Sequence, residues 1–278
     1  ILIFFFYSFN DKIHKHDPML RMNVLLTNDD GIHARGLWAL YNHFIDAHHV
    51  TVVAPDRERS AIGHAITLNQ PLRASRVSLN GGYRGYSVNG TPADCIKLAI
   101  AEILPERPDV VVAGINPGAN VGANLNYSGT VAAAKEAALG GVIGIAVSIE
   151  GQKADYCDDA ALFVAQLCGT VHAQGLPFGT FLNVNIPNRP LKKIAGVRIS
   201  RQSVELLSEY VEKRMDPRNR TYYWQGRDMQ SFGDDPEIDG TALGQNFISI
   251  TPVKCDMTDY SMLEDLKSWE LKKMKIVD

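Results

Sequence analysis

The chain has 278 residues, of which 45% are hydrophobic and 21% are charged, a composition typical of a globular protein that buries a sizeable core. This length accommodates one large α/β domain or two smaller ones. The net charge of −3 and the pI near 6.3 exclude a nucleic-acid surface that depends on bulk basicity, whereas small anionic ligands, which local donors bind, stay open.

The first 21 residues, which begin ILIFFFYSF, are expected to form an extension outside the working domain. The apolar run is too short to span a bilayer, no basic region precedes it, and no small-residue cleavage site follows nearby. The alternative is a short hydrophobic arm that packs on a neighbouring subunit.

The next stretch predicts a β-α-β unit. Residues 23–27 (NVLLT) are an apolar run ended by Asn-Asp-Asp-Gly, which indicates a buried strand that stops at a loop. Residues 49–55 (HVTVVAP) indicate a second strand. Between them, helical spacing places four apolar side chains on one face: Leu37, Leu40, Tyr41 and Phe44. A crossover of this kind implies parallel strands.

The alternation of strands and helices returns downstream. We expect strands at 109–114, 142–149 and 181–186, and an alanine-rich helix at 130–139 (TVAAAKEAAL). A further helix is indicated by the spacing of Ala161, Val164, Ala165 and Cys168. The pattern predicts the α/β class with a doubly wound, mostly parallel sheet.

The composition of the sequence changes after Ser200. Residues 201–240 are polar and charged, and short strands such as TYYWQG indicate a protruding hairpin rather than a separate core. Residues 247–253 (FISITPV) predict a late strand, and an amphipathic C-terminal helix uses Met262, Leu263, Leu266, Trp269 and Leu271. The predicted organisation is an extension at 1–21, a catalytic core at 22–200, and hairpin, strand and helix at 201–278.

Cysteine usage bears on the compartment. The four cysteines, Cys95, Cys157, Cys168 and Cys255, include no CxxC pair and no metal-type spacing. This usage suits reduced thiols in a cytoplasm better than a disulfide framework. We therefore expect a cytoplasmic protein with no membrane and no nucleic acid among its partners.

Three loops at the ends of predicted strands are candidates for one site, because ligands of open α/β sheets bind beyond the carboxyl ends of the strands. The first, residues 28–36, contains Asp29 and Asp30, which repel each other when both are ionised unless a cation or solvent screens them. The pair is either a polar turn or a site for a hard cation such as Mg²⁺, Mn²⁺ or Ca²⁺.

The second loop, residues 56–67, contains Ser60 and His64. Ser60 offers a neutral oxygen to a cation, and the alternative is a solvated loop with a capping serine. His64 is a candidate proton donor to a leaving group, because imidazole is a common general acid in enzymes. A structural or exposed histidine is the alternative.

The third loop, residues 116–130, begins at Asn116 directly after a strand and ends where Ser128, Gly129 and Thr130 open the alanine-rich helix. Unsatisfied N–H groups and partial positive charge at a helix N-terminus favour a phosphate. The alternative is N-capping by Ser128 or Thr130, which is compatible with phosphate binding.

Several common motifs are missing from the sequence. It has no GxGxxG after the first strand, no GxxxxGK[ST] and no GxSxG, which argues against dinucleotide-dependent oxidoreductases, P-loop enzymes and serine esterases. A cation beside a phosphate pocket points instead to metal-assisted hydrolysis of a phosphate ester.

Taken together, these segments resemble the SurE family, the stationary-phase survival proteins that act as 5′-nucleotidases. The similarity runs from Asn23 to about Val253 and is carried by six stretches: NVLLTNDDGIHARG, VVAPDRERSAIGHAITL, VNGTPADCIKLAI, PDVVVAGINPGANVG, YSGTVAAAKEAALG and FISITPV. The resemblance implies a Rossmann-like, three-layer α/β/α fold. It also implies a homodimer or homotetramer whose hairpin and C-terminal segments exchange between subunits.

The resemblance further implies a set of site residues. One divalent cation per subunit, Mg²⁺ or Mn²⁺ with Ca²⁺ as the alternative, would be held by Asp29, Asp30, Ser60 and Asn116. Asp29, Asp30 and Asn116 are the implied catalytic residues. The implied phosphate-binding residues are Asn120, Ser128, Gly129 and Thr130. The chain departs from many family members at Ala123 and Asn124, where they carry acidic residues, and its pocket is therefore less negative.

The predicted function is removal of phosphate from nucleoside 5′-monophosphates, with 3′-nucleotides and polyphosphate as further substrates. The cation would polarise a phosphoryl oxygen and lower the pKa of a water that Asp29 or Asp30 orients. The alternative is a nucleotide-sensing binding protein without turnover. A dinucleotide-dependent oxidoreductase fits the fold but lacks the glycine fingerprint.

Overall fold

The protein is described from a computed structural model, which covers residues 21–78, 82, 84–204, 209–227, 232–269 and 271. The predicted extension, apart from Arg21, lies outside these described residues, and so does the alternative of a packed N-terminal arm. Within the described ranges, no helix is long and apolar enough to cross a membrane.

The described part of the chain contains eleven strands and six α-helices. The first half contains β1 (Asn23–Thr27), α1 (Arg35–Phe44), β2 (His49–Pro55), β3 (Ala74–Ser78), β4 (Arg84–Val88), α2 (Pro92–Leu98), β5 (Val110–Pro117) and α3 (Gly129–Leu139). The second half contains β6 (Ile143–Ile149), α4 (Cys157–Gln174), β7 (Thr180–Ile186), β8 (Gly196–Ile199), β9 (Glu209–Met215), β10 (Thr221–Arg227), α5 (Asp239–Gly244), β11 (Phe247–Lys254) and α6 (Tyr260–Ser268).

Nine of these strands form one sheet in the order β3-β4-β2-β1-β5-β6-β7-β11-β8. Neighbouring strands are parallel from β4 through to β7, whereas β3 is antiparallel to β4 and β11 is antiparallel to β7. The predicted α/β class with a mostly parallel sheet is confirmed.

Helices cover both faces of the sheet. Alternate residues of a strand point to opposite faces, so neighbouring residues pack against different helices. Val24 and Leu26 of β1 pack in the cluster that contains the buried faces of α1 and α4. Leu25, between them, packs in the cluster that contains α2 and α3. The result is the three-layer α/β/α architecture.

A crevice lies at one edge of the sheet, between the loops that follow β1 and β5. β1 pairs with β2 on one side and with β5 on the other, so the chain reverses its direction of winding between β1 and β5. The segments that follow β1, β2 and β5 therefore open at the same edge, which is where doubly wound sheets bind ligands.

Some elements differ from the prediction. β5 continues to Pro117, so Asn116 is the second-to-last residue of the strand and does not lie in the loop after it. A 3₁₀ helix (Gly122–Asn126) occupies part of that loop. The strand β11 lies between β7 and β8 in the main sheet, so the boundary drawn at residue 200 separates strands that pair with each other.

The hairpin predicted after Ser200 is present as the two-stranded sheet of β9 and β10. The C-terminal helix α6 contains no buried residue. Several of its apolar side chains are exposed, among them Leu263 and Leu266.

Candidate active site

The turn after β1 has a backbone that requires glycine. The side chain of Asn28 donates to the Gly31 carbonyl at 3.0 Å and accepts from the Gly31 N–H at 3.2 Å. Gly31 has φ of +97°, and a Cβ there would lie 3.0 Å from the backbone carbon of Arg57. The turn that presents the aspartate pair thus packs directly against the start of the second loop.

Asp29 is held at the N-terminus of α3. Its side chain is buried, with 5% exposed, and the Thr130 hydroxyl donates to its Oδ1 at 2.5 Å. A Cβ on Gly129 would lie 2.8 Å from the Asp29 Cβ, so glycine allows this approach. Burial raises the pKa of Asp29, and hydrogen bonds from Thr130 partly offset the rise. The positive end of the helix favours the ionised carboxylate there.

The second aspartate of the turn, Asp30, has an unusual environment. Among the described residues, its Oδ2 is buried and makes no hydrogen bond. Burial, the charge of Asp29 and the charge of Glu58 together raise the pKa of Asp30 to about 7. An unsatisfied carboxylate oxygen next to a second carboxylate is costly unless a cation or a proton neutralises it.

The second loop joins the first through the backbone. The Arg59 N–H donates to the Asp29 carbonyl at 2.7 Å, which places Ser60 beside the aspartate pair. The Ser60 hydroxyl is exposed and donates to Glu58 Oε1 at 2.5 Å. Glu58 is a third carboxylate in this region, and its charge raises the pKa of both aspartates.

Asn116 presents its side chain at the end of β5. Its amide nitrogen donates to the Gly118 carbonyl at 2.7 Å, which orients the side chain so that the amide oxygen is the atom suited to a hard cation. Asn116 is half-buried, as a side chain at the mouth of a crevice would be.

Asn120 is held by two asparagines of β7. Its N–H donates to Asn185 Oδ1 at 2.8 Å, and its carbonyl accepts from Asn183 Nδ2 and Asn185 Nδ2 at 2.8 and 3.1 Å. Its own amide nitrogen donates to the Ser148 hydroxyl at 2.8 Å. The third loop is therefore anchored to the sheet at the residue predicted to bind phosphate.

Five of the eight predicted residues line one cavity of about 250 Å³. They are Asp29, Ser60, Asn116, Asn120 and Ser128. Asp30 lines an adjacent cavity of about 340 Å³, together with Arg35 and Lys153, and Pro117 lies between the two cavities and lines both. Gly129 and Thr130 form the first turn of α3 beside Asp29.

The first turn of α3 decides between the two capping alternatives. The Ser128 hydroxyl accepts from the Val131 N–H at 3.1 Å, so Ser128 is the N-cap. Thr130 is fully buried and directs its hydroxyl to Asp29. A phosphate-binding role for Thr130 stays a prediction, and the contact that the structure shows is with the aspartate.

The donor set fits a hard divalent cation. The described residues include no group of three His, Cys, Asp or Glu side chains arranged to hold a metal, so a softer ion that needs imidazole or thiolate has no site here. Two carboxylates with neutral oxygens from Ser60 and Asn116 match the oxygen ligands of Mg²⁺, Mn²⁺ or Ca²⁺. The unpartnered Oδ2 of Asp30 is the observation that supports the fit.

His64 lies away from the aspartate cavity. Its Nε2 is 2.7 Å from Glu136 Oε2, and its side chain lines a separate cavity of about 520 Å³ that shares Ser128 with the first. His64 does not line the aspartate cavity, and its role as a proton donor to a leaving group stays a prediction.

Sequence reasoning missed three features of the site. It did not anticipate the contact of Thr130 with Asp29 or the proximity of Glu58 to both aspartates. It also passed over the two asparagines in the strand FLNVNI, although polar residues at alternate positions of a buried strand signal a functional network. Both of these asparagines are fully buried.

The contact between Thr130 and Asp29 yields a testable prediction. Replacing Thr130 with Val keeps the shape but removes the donor, and we expect metal affinity or kcat/KM to fall about 10- to 100-fold, as for other residues that orient a ligand. Thr130→Ser, which keeps the hydroxyl, is the matched control. Calorimetric metal titration and initial rates measure the effect, and equal behaviour of the two variants would contradict it.

The raised pKa of Asp30 predicts the pH dependence of stability in the metal-free protein. Because the pKa rises from 3.8 to about 7 on folding, the folded state binds a proton more tightly than the unfolded chain. The free energy of unfolding therefore decreases as the pH rises from about 4 to about 7.

In EDTA we expect Tm to be a few degrees lower at pH 7.5 than at pH 5, since about 1 kcal/mol moves the Tm of a domain of this size by roughly 2–4 °C. Solvent screening of the partly exposed carboxyl reduces the effect. Asp30→Asn should show a smaller pH dependence than the wild type. An identical dependence in thermal melts of both proteins would disprove the assignment.

Comparison with known proteins identifies relatives over most of the chain. A family model described as "Survival protein SurE" matches residues 24–209. "5′-nucleotidase SurE" of Desulfatibacillum aliphaticivorans is 56% identical over 252 residues, covering 91% of this chain and 100% of that protein. The protein of the same name from Syntrophobacter fumaroxidans is 47% identical over 250 residues, covering 90% and 100%.

A solved structure has the same fold. The crystal structure of the SurE protein from Aquifex aeolicus superposes with a TM-score of 0.78 at 34% sequence identity. The match covers 89% of this chain and 99% of that chain.

Proposed function

The chain belongs to the SurE family, and from this membership we propose that it is a 5′-nucleotidase, a phosphohydrolase that removes phosphate from nucleoside 5′-monophosphates. The observation that carries the proposal is the aspartate pair at the switch point of the sheet. Asp29 is buried against the N-terminus of α3, and Asp30 has a buried oxygen that makes no hydrogen bond within the described part of the chain. Such a pair suits a metal-dependent phosphatase.

We propose that Asp29, Asp30, Ser60 and Asn116 hold one divalent cation, Mg²⁺ or Mn²⁺ with Ca²⁺ as the alternative. When bound, the cation would act as a Lewis acid on a phosphoryl oxygen and lower the pKa of a water. The carboxylates supply two negative charges against its two positive charges, which removes the repulsion within the pair.

The residues of the chain then have distinct roles in the reaction. Asp29, oriented by Thr130, holds the attacking water and accepts its proton. Ser128 and Asn120 line the same cavity, and their O–H and N–H groups stabilise charge on the phosphoryl oxygens. Asn124, a neutral residue on the cavity wall, adds no negative charge to repel a phosphate dianion.

Further substrates and assembly are part of the proposal. The cavity has the polar groups that a phosphate needs, so 3′-nucleotides and polyphosphate are candidate substrates beside 5′-monophosphates. The exposed apolar side chains of α6 support a homodimer or homotetramer that exchanges its C-terminal segments. Four free cysteines support a cytoplasmic location.

The test is phosphate release by purified protein from 5′-AMP and 5′-GMP, with 3′-AMP and polyphosphate as parallel substrates and Mg²⁺, Mn²⁺ or Ca²⁺ added in turn. We expect release from the 5′-monophosphates. Tight binding of a 5′-monophosphate without phosphate release under any of these cations would favour the alternative, a nucleotide-sensing binding protein.

A further inference from the structure

The segment that carries Ser60 depends on tertiary contacts for its position. We call the second loop, residues 56–67, the Ser60 loop; it follows β2 and contains neither helix nor strand. Ser60 itself is exposed, and the contact of its hydroxyl is with Glu58, another exposed residue of the same loop. Its position relative to Asp29 must therefore come from contacts made by its neighbours in the loop.

Anchors lie on both sides of Ser60. On one side, the Arg59 N–H donates to the Asp29 carbonyl at 2.7 Å. On the other, the Gly63 N–H donates to the Tyr127 carbonyl at 2.9 Å. Farther along, Asp94 accepts from the N–H and the hydroxyl of Thr67 at 2.9 and 2.6 Å, which fastens the end of the loop to α2.

The residue next to the Gly63 anchor is His64, and it makes the one side-chain hydrogen bond between this loop and α3 that the described residues show. Its Nε2 lies 2.7 Å from Glu136 Oε2 on α3, and Lys97 of α2 lies 3.1 Å from Glu136 Oε1. The side chains of Glu136 and His64 are 13% and 25% exposed. A hydrogen bond from His64 holds the pKa of Glu136 below its usual value, so the acceptor is ionised at neutral pH.

We propose that His64 is a positioning residue, which acts through Glu136 to clamp the Ser60 loop onto α3 and so keeps Ser60 beside Asp29. The role in the reaction depends on the proposed function, whereas the clamp itself does not. The same helix α3 that holds Asp29 through Thr130 also holds the loop through Glu136. The positions of Asp29 and of the Ser60 loop are therefore both fixed relative to α3.

Substitution of each of the two partners of Glu136 distinguishes a clamp by His64 from a general effect of charge on Glu136. His64 lies on the loop, whereas Lys97 lies on α2 and is 53% exposed. Loss of His64 removes the connection between loop and helix. Loss of Lys97 changes the charge around the same carboxylate but leaves that connection in place. A charge-assisted hydrogen bond in a partly buried setting is stronger than an exposed ion pair.

Amide hydrogen exchange in the absence of metal tests the clamp directly. In His64→Ala we expect the Gly63 amide to exchange about 10-fold faster than in the wild type, as local opening of the loop becomes easier. The Thr67 amide, bonded to Asp94, is the internal control and should keep its protection. His64→Gln retains a donor and should restore part of the protection, and Lys97→Met should leave the Gly63 amide unchanged.

A metal titration then tests the consequence for the site. If a mobile loop is competent only part of the time, the apparent dissociation constant rises by the inverse of the competent fraction. We expect His64→Ala to bind Mn²⁺ several-fold more weakly by calorimetry, with kcat close to the wild-type value once metal is saturating. A proton-donating histidine would instead show a kcat that saturating metal does not restore.

Three outcomes would overturn the clamp: an unchanged Gly63 amide in His64→Ala, an equal loosening in Lys97→Met, or unchanged Mn²⁺ affinity despite faster exchange. Failure of the proposed function has a different signature. In that case the wild-type protein releases no phosphate from nucleotides, while the exchange rates still report whether His64 holds the loop.

Discussion

Replacing Asp29 with Asn is expected to lower kcat/KM for nucleoside 5′-monophosphates about 1,000-fold while the protein stays folded, a loss in the range seen when one preorganised charge-stabilising group is removed. The amide keeps an oxygen that can accept from Thr130, whose hydroxyl donates to Asp29 Oδ1 at 2.5 Å. It loses the negative charge that holds a cation and accepts a proton. Initial rates with 5′-AMP measure the loss.

The same substitution should not destabilise the metal-free protein at neutral pH. Burial raises the pKa of Asp29, which means that the folded state pays a desolvation cost for the charge. A neutral amide avoids that cost, so the Tm of Asp29→Asn in EDTA should equal or exceed that of the wild type. Asp46→Asn, at an exposed position after α1, is the matched control for charge, and we expect wild-type rates. Full activity in Asp29→Asn would remove Asp29 from the mechanism.

Chelation is the second experiment with a large expected effect. EDTA should reduce phosphate release to the level of the buffer, because the aspartate pair and the oxygen of Asn116 cannot by themselves supply Lewis-acid chemistry. Adding Mg²⁺, Mn²⁺ or Ca²⁺ in turn should restore the rate with at least one of these ions. Phosphate release that is indifferent to EDTA would defeat the metal-dependent mechanism.

Metal should also stabilise the folded protein, which gives a readout independent of turnover. A ligand that binds the native state alone at 100 times its dissociation constant adds about 2.7 kcal/mol, and we expect Tm to rise accordingly. Asp30→Asn should lose most of this rise, because the unpartnered Oδ2 is the atom that we assign to the cation. Asp46→Asn should retain it. Equal shifts in both variants would place the metal elsewhere.

Fold class was accessible from local pattern because the central strands β1, β5, β6 and β7 are buried on both faces and the helix α1 has a spaced apolar face. The runs NVLLT and HVTVVAP became β1 and β2, and the alanine-rich stretch became α3. Shorter elements escaped. The strands β3, β4 and β8 did so because half-exposed strands of four or five residues carry little periodicity, and the helix α5 did so because it has only six residues. The helix α2 escaped although its capping box of Thr91 and Asp94, with Pro92 between them, is a readable signal.

The division of the chain at residue 200 shows a limit of reasoning along the sequence. The polar stretch after Ser200 does contain the hairpin of β9 and β10, but β11 returns to the main sheet and pairs with both β7 and β8. Strand order depends on which edges remain open after the other strands have paired. Composition along the chain does not record this.

For the site, the sequence by itself determined which polar residues follow which strands, and the rule that parallel strands end at a common edge brought Asp29, Ser60, Asn116 and Ser128 into one region. Tertiary structure alone decided what each of them touches. It placed Thr130 on Asp29, left Asp30 Oδ2 without a partner among the residues that the structure describes, and directed His64 to Glu136 rather than to the aspartate cavity. The reason is physical: order along the chain sets which residues reach an edge, whereas hydrogen bonds and burial depend on the packing of elements far apart in sequence.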